Sequence, residues 1–248
     1  LTFQLYLKFK KQLKELDLEP LFYDIEIPLL KVLHDMEVEG IKINIESLKE
    51  FSKKLNVSLA NLEQSIYNFS GHEFNIDSPK QLGEVVFGEL NLDPKAKKTK
   101  TGQFKTDEAT LNKLSGSHPI IDDILSYRTR KKLLSTYVDA LPKLISPLTN
   151  KIHTNYMQTV TSTGRLSSNK PNLQNIPIRT ELGKEIRKAF CASDDRRLLM
   201  CADYSQIELR IIAGLSEDKS MINAFTNGRD IHTETASKIF HVVLEDVT

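Results

Sequence analysis

Leu198-Leu199-Met200-Cys201-Ala202-Asp203-Tyr204-Ser205-Gln206-Ile207-Glu208-Leu209-Arg210 is the stretch from which the rest of the chain is read. An apolar run of strand length ends on one carboxylate, Asp203. A helix-period pattern follows, with Ile207, Ile211 and Leu215 on one stripe and Glu208 beside it. Aspartate is poorly suited to a strand interior. An Asp closing such a run is therefore either the cap of the next helix or a ligand placed on a rigid element, and the segment alone leaves both open. It has neighbours. Upstream lie Thr163-Gly164-Arg165-Leu166-Ser167-Ser168 and Pro171-Asn172-Leu173-Gln174-Asn175-Ile176-Pro177; downstream lies Gly228-Arg229-Asp230-Ile231-His232-Thr233.

In that order these segments resemble the bacterial DNA polymerase I family, the family A polymerases. Asp203 to Arg210 is similar to the family's first palm motif at every position. The resemblance is close from about His153 to Thr235 and looser through the first half. It implies an α+β fold of the right-hand polymerase type, incomplete: a mainly helical thumb, then part of an antiparallel palm sheet with helices. Residues 1–20 resemble the end of an exonuclease-like domain, 21–148 the start of the polymerase domain and its thumb, and 149–248 the first part of the palm. Thr248 falls short of the fingers helix and of the palm segment with the second metal-binding aspartate. The chain is therefore read as a fragment, inactive alone, of a DNA-directed DNA polymerase of replication and repair. The alternatives are a non-catalytic DNA-binding module and an inactive relative.

Bulk properties are compatible with this. At 248 residues the chain has room for one large or two smaller domains. Its 40% hydrophobic and 27% charged content is that of an ordinary globular protein. No apolar stretch approaches the length of a membrane span, so no membrane partner is expected. A net charge of +1 argues against a uniformly basic surface, while a nucleic-acid partner needs only a basic stripe. The two cysteines, Cys191 and Cys201, make no disulfide framework and sit in no metal-ligand spacing. A reducing cytoplasm is expected, the bacterial cytosol or nucleoid by the resemblance. Leu1-Thr2-Phe3-Gln4-Leu5 has no initiator Met and no signal-peptide layout, and reads as the middle of a helix.

Residues 3–16 read as a helix that Pro20 breaks. A second, about 21–39, is interrupted near Pro28 and ends at Gly40. Asn44 can cap a long helix to about Phe69. Ser78-Pro79 opens a short one, and two more follow, about 108–114 and 119–141. Ahead of these two, residues 94–105 hold five lysines and no acid. From Lys151 the pattern turns to β-branched and aromatic residues and predicts a strand over 152–161, with a domain boundary near residue 148.

The resemblance assigns roles. Asp203 is the catalytic carboxylate holding Mg²⁺, with the main-chain carbonyl of Tyr204 a further metal ligand. Glu208 excludes a 2′-hydroxyl from the incoming nucleotide; without the motif it would read as a salt-bridged helix residue. Ile207 forms the floor beneath that nucleotide or simply packs. Gln206 lies near the nucleotide, and His232 touches the triphosphate. Arg165 reads the minor groove at the primer terminus, where purine N3 and pyrimidine O2 acceptors occur in every pair. Asn172, Gln174 and Asn175 contact template and primer, or else satisfy their own loop. Lys97, Lys98 and Lys100 grip phosphates from the thumb tip, or else form a solvated loop. Arg128, Arg130 and Lys132 are further contacts. Leu134 stands where many relatives carry a basic residue. Primer–template DNA and deoxynucleoside triphosphates are the expected partners, and the intact protein is expected to be monomeric. Residues 1–20 hold no paired carboxylates, so a 3′–5′ exonuclease activity is not implied.

Overall fold

In the computed structural model residues 1–243 and 246–247 are described. Thr248, where the resemblance sets the approach to the fingers, lies outside them. The first helix, α1 (Thr2–Glu15), matches the sequence reading and buries none of its residues, Phe3 being 69% exposed. A π-helical turn, Leu21–Glu26, leads into α2 (Ile27–Glu39), where Pro28 occupies the first turn that tolerates it. Gly40 ends α2 at φ +61, and a Cβ there would lie 2.7 Å from the His153 ring and from the Ile152 carbonyl oxygen. Glycine is required at this position by backbone angle and by space alike.

Ile43 closes the short strand β1 (Lys42–Ile43), and Asn44 then caps α3 (Ile45–Ser70) by accepting from the Ser47 amide at 3.1 Å. Such a cap contributes about 1 kcal/mol. Leu48, Phe51, Leu55, Leu59 and Ile66 recur at helical spacing and are all buried. Ser78 caps α4 (Pro79–Gly83), which runs on as a π-helical segment, Glu84–Glu89, burying Val85, Val86 and Phe87. Asp107 caps α5 (Glu108–Asn112). α6 (Pro119–Leu133) packs along α3 through Ile120, Ile121, Ile124 and Tyr127 and continues in a π-helical turn, Leu134–Val138. Leu134 is buried, so an aliphatic residue in place of a base serves the core here.

The predicted strand over 152–161 narrows to β2 (Asn155–Met157), which pairs antiparallel with β3 (Ser167–Asn169). Ile152 instead bridges Ile41, and β1 pairs with β4 (Phe190–Cys191), which follows α7 (Glu181–Lys188). These pairings tie residues 149–198 to the helical body. The chain accordingly divides into compact units at Leu198/Leu199 and not near residue 148, where the pattern changes.

The second unit, Leu199–Thr248, contains α8 (Ile207–Ser216), α9 (Lys219–Thr226) and α10 (Ile231–Phe240). Here two expectations are corrected. The run ending at Asp203 forms no strand, because no described residue pairs with it; Leu198 and Met200 are 94% and 89% exposed. A strand needs a ladder partner, whatever its own propensity. Also, α8 forms as expected but turns its other face inward. Ala213 is buried and Leu209 half-buried, while Leu215 on the expected stripe is 83% exposed.

Candidate nucleotide and nucleic-acid sites

Within the second unit, Asp203 and Tyr204 lie on the exposed segment just before α8, and Gln206 turns the chain into the helix from a left-handed conformation, φ 51. The Gln206 side chain does not cap α8. Its amide donates to Asp230 Oδ1 at 2.8 Å. Asp230 in turn caps α10, its Oδ2 accepting from the Thr233 amide at 3.2 Å and from the Thr233 hydroxyl at 3.0 Å. The Gln206 amide, then Thr233, hold the Asp230 carboxyl down to about 2, so it stays ionised at the N-terminal end of the α10 dipole. The start of α8 is thereby fixed to the start of α10, where His232 lies exposed.

Glu208 occupies the exposed first turn of α8. Ile207 is 38% exposed, so plain core packing does not account for it in this chain. Arg210 folds back on the same turn, donating from Nε to the Ser205 carbonyl at 2.9 Å with its guanidinium 4.6 Å from the Phe225 ring centre. Behind these residues a mainly apolar cleft of about 360 Å³ opens between Leu209, Met221, Ile231, Ala236 and Phe240, with His232 at its margin. Among the described residues no three His, Cys, Asp or Glu side chains converge as a metal site.

The first unit holds the residues that the resemblance gives to DNA. Arg165 is exposed on the loop between β2 and β3, where Gly164 takes φ +74 and the Thr161 hydroxyl donates to the Arg165 carbonyl at 2.6 Å. In the next loop the two readings of the amides combine. Gln174 Oε1 accepts from the Ser168 amide at 2.8 Å, and Asn172 Oδ1 accepts from the Ser168 hydroxyl at 3.2 Å and the Gln174 amide at 3.1 Å. Their oxygens shape the loop, while both residues and Asn175 remain exposed. The buried Tyr137 hydroxyl anchors this loop by donating to the Asn175 carbonyl at 2.5 Å.

The lysine segment is a tight hairpin and not an unstructured loop. Thr99 donates its amide to the Gln103 carbonyl at 2.7 Å, Lys105 to Lys97 at 2.9 Å, and Gly102 takes φ +81 at the turn. Lys98 Nζ sits 4.4 Å above the Phe104 ring, and Lys97 and Lys100 are exposed. On α6, Lys132 is exposed, whereas Arg130 donates to the Ser126 carbonyl at 3.2 Å. Arg128 departs from the expectation of a DNA contact. It is half-buried, donates to the Thr106 carbonyl and reaches the Thr106 hydroxyl at 3.4 Å, and burial pulls its pKa below the usual value. These two contacts hold the segment before α5 against α6.

Sequence reasoning passed over Tyr137, Ser168 and Asp230, which build these sites. Only Asp230 carried a local signal, an Asp three residues before Thr233 at the start of a helix. The other two act through partners that no short-range pattern identifies.

These arrangements define a class. The profile of DNA polymerase family A matches residues 45–248, and the chain belongs to that family. Among particular relatives, DNA polymerase I of Synechocystis sp. is 50% identical over 248 residues, covering 98% of this chain and 25% of that protein. DNA polymerase I of Bacillus subtilis is 47% identical over 241 residues, covering 97% and 27%. The thermostable DNA polymerase I of Thermus aquaticus is 48% identical over 227 residues, covering 92% and 27%. The chain thus spans about a quarter of the length of these relatives. A solved structure, the POL domain of Pol1 from M. smegmatis in complex with DNA primer–template and dNTP, matches with a TM-score of 0.85 at 39% identity. It covers 96% of this chain and 42% of that one.

Proposed function

We propose that this chain is the thumb and first palm portion of a DNA-directed DNA polymerase, which extends a primer 5′ to 3′ on a template with two Mg²⁺ ions. On this reading residues 1–20 end a preceding exonuclease-like domain, 21–148 begin the polymerase domain, and 149–248 begin the palm. The observation that carries it is the segment from Asp203 to Arg210, an exposed carboxylate delivered to the start of a helix whose first turn holds Glu208.

Magnesium takes oxygen ligands in octahedral geometry. The Asp203 carboxylate and the Tyr204 carbonyl, adjacent on one exposed segment, suit it in kind. They do not suit it in number, since among the described residues no three His, Cys, Asp or Glu side chains gather to hold a metal. The remaining ligands are assigned to substrate phosphates, water and protein groups outside these 248 residues. Bound Mg²⁺ supplies charge neutralisation for the in-line phosphoryl transfer. The chain's own residues position the reactants: Glu208 against the sugar, Gln206 and His232 beside the triphosphate, Arg165 and the amide loop along the primer terminus. The 248 residues alone are expected to be inactive, because Asp203 is the one carboxylate assigned to the metals among the described residues and a two-metal site needs more ligands than it supplies.

The full-length protein should incorporate one nucleotide on each of four primer–templates differing in the templating base. Incorporation should follow the template in every case. Incorporation that ignores the template, or its absence with Mg²⁺ present, contradicts the reading.

DNA affinity in this scheme comes from lysine and arginine side chains neutralising phosphates. Replacing Lys97, Lys98 and Lys100 together by Ala should weaken binding similarly for all duplex sequences. The slope of log K against log salt should flatten by roughly 0.9 for each phosphate that is no longer neutralised. A salt titration with unchanged slope would remove the hairpin from the interface.

A further inference from the structure

Arg165 rides on a hairpin that cannot orient itself. β2 and β3 share only the pairs Asn155–Asn169, Tyr156–Ser168 and Met157–Ser167, and a two-stranded ribbon of that length is marginal in water. Its direction must be set by what it is fastened to. Beside the Ile41–Ile152 bridge and the Tyr137 anchor, it is fastened to α2 and to the turn that precedes it by hydrogen bonds to acidic residues. Glu37 Oε1 accepts from the Tyr156 amide at 2.5 Å, and the Glu37 carbonyl meets His153 Nδ1 at 2.7 Å. One residue past β2, the Gln158 amide donates to the Glu26 carbonyl at 3.0 Å and also to the Glu26 carboxylate.

Glu26, Glu37, Tyr156 and Gln158 are each half-buried. These bonds are therefore less screened than surface pairs, and a bond to a charged group is shorter and more directional than a neutral one. The surrounding residues point the same way. Gly40 brings the end of α2 within contact of His153 only because it lacks a side chain, and Lys151 Nζ bridges the Glu39 carbonyl at 2.9 Å and its carboxylate at 2.6 Å. Four attachments thus run along residues 151–158, at Lys151, His153, Tyr156 and Gln158, the last of which opens the loop leading to Arg165. A surface salt bridge alone would not need this arrangement.

We propose that Glu37 and the Glu26–Gln158 pair are positioning residues that aim Arg165 at the primer terminus, so that discrimination between matched and mismatched ends depends on α2. This rests on the minor-groove reading of Arg165 given above. An Arg fork reads a correct pair only if it meets the acceptor in the right place, and a misplacement of the order of 1 Å costs up to about 10²-fold. A mismatched terminus displaces the acceptor, so it has less to lose.

The test is single-turnover extension by the full-length protein from a matched and a mismatched primer end, beside DNA binding and thermal midpoint. Glu37→Ala and Gln158→Ala should each slow extension from the matched end about ten-fold or more and narrow the matched-to-mismatched ratio, with DNA affinity and thermal midpoint nearly unchanged. Glu37→Gln, which keeps an acceptor for the Tyr156 amide, should restore most of the ratio. Arg165→Ala is the control. If it narrows the ratio and the α2 variants do not, the positioning role is refuted while the reading of Arg165 stands. If Arg165→Ala leaves the ratio intact, that reading fails and takes the positioning role with it. Equal losses from both ends with a lowered midpoint would make the α2 contacts structural only, which also refutes the proposal.

Discussion

Glu208→Ala in the full-length protein should erode the preference for deoxyribonucleotides over ribonucleotides by roughly 10²-fold, with templated extension by deoxyribonucleotides kept. The argument is one of space and unmet hydrogen bonds. Glu208 stands in the exposed first turn of α8, five positions after Asp203. By the resemblance to family A polymerases it is assigned to the sugar and not to the metal. A carboxylate beside the sugar C2′ leaves no room for a hydroxyl, and steric or unpaired-polar rejection of this kind spans about 10 to 10⁵ in kcat/KM. Removing the side chain opens the space while leaving the 2′-deoxy sugar as well accommodated as before. The readout is the ratio of kcat/KM for the two nucleotides. A ratio unaltered by the substitution would make Glu208 a structural residue of α8.

Much of the helical half was legible because its signals are local. Asn44 and Ser78 cap helices and Gly40 ends one, as their residue types predict. The apolar stripe of α3 became core because α6 lies along it. The stripe on α8 has the same periodicity yet a different outcome, since the covered face is that of Leu209 and Ala213. Periodicity predicts a helix and a pair of faces, and packing partners decide which face is covered. The run from Leu198 to Ala202 teaches the same lesson for strands. Its composition suits a sheet, but no described residue offers a ladder. α7, α9 and α10 had capping residues, Thr180, Asp218 and Asp230, that the reading by motif passed over.

At the site, residue identity was more informative than residue role. Gln206 and Asp230 lie in separate motifs, and only the fold joins them at 2.8 Å. Arg128 looked like another free cation on a basic helix, but its partner Thr106 is twenty-two residues away and not part of any pattern. Asn172 and Gln174 are polar loop residues by sequence, and their oxygens turn out to build the loop that presents them. Side chains whose function is to hold other side chains leave little trace in one sequence.

The central claim is that Asp203 holds the metal on which the chemical step depends. It is tested most directly by single-turnover extension with Asp203→Asn in the full-length protein, measured beside a primer–template binding titration. An amide keeps the shape of the carboxylate but loses the charge that binds Mg²⁺. Losing that ligand should slow the chemical step on the order of 10³-fold or more, several kcal/mol of transition-state stabilisation at 1.36 kcal/mol per factor of ten. On the proposed function, duplex affinity comes from phosphate contacts elsewhere and should stay within about a factor of two to three. Asp203→Ala should be scarcely worse than Asp203→Asn. Near-normal extension by Asp203→Asn, with DNA binding intact, would contradict the metal role and leave Asp203 as no more than a turn residue before α8.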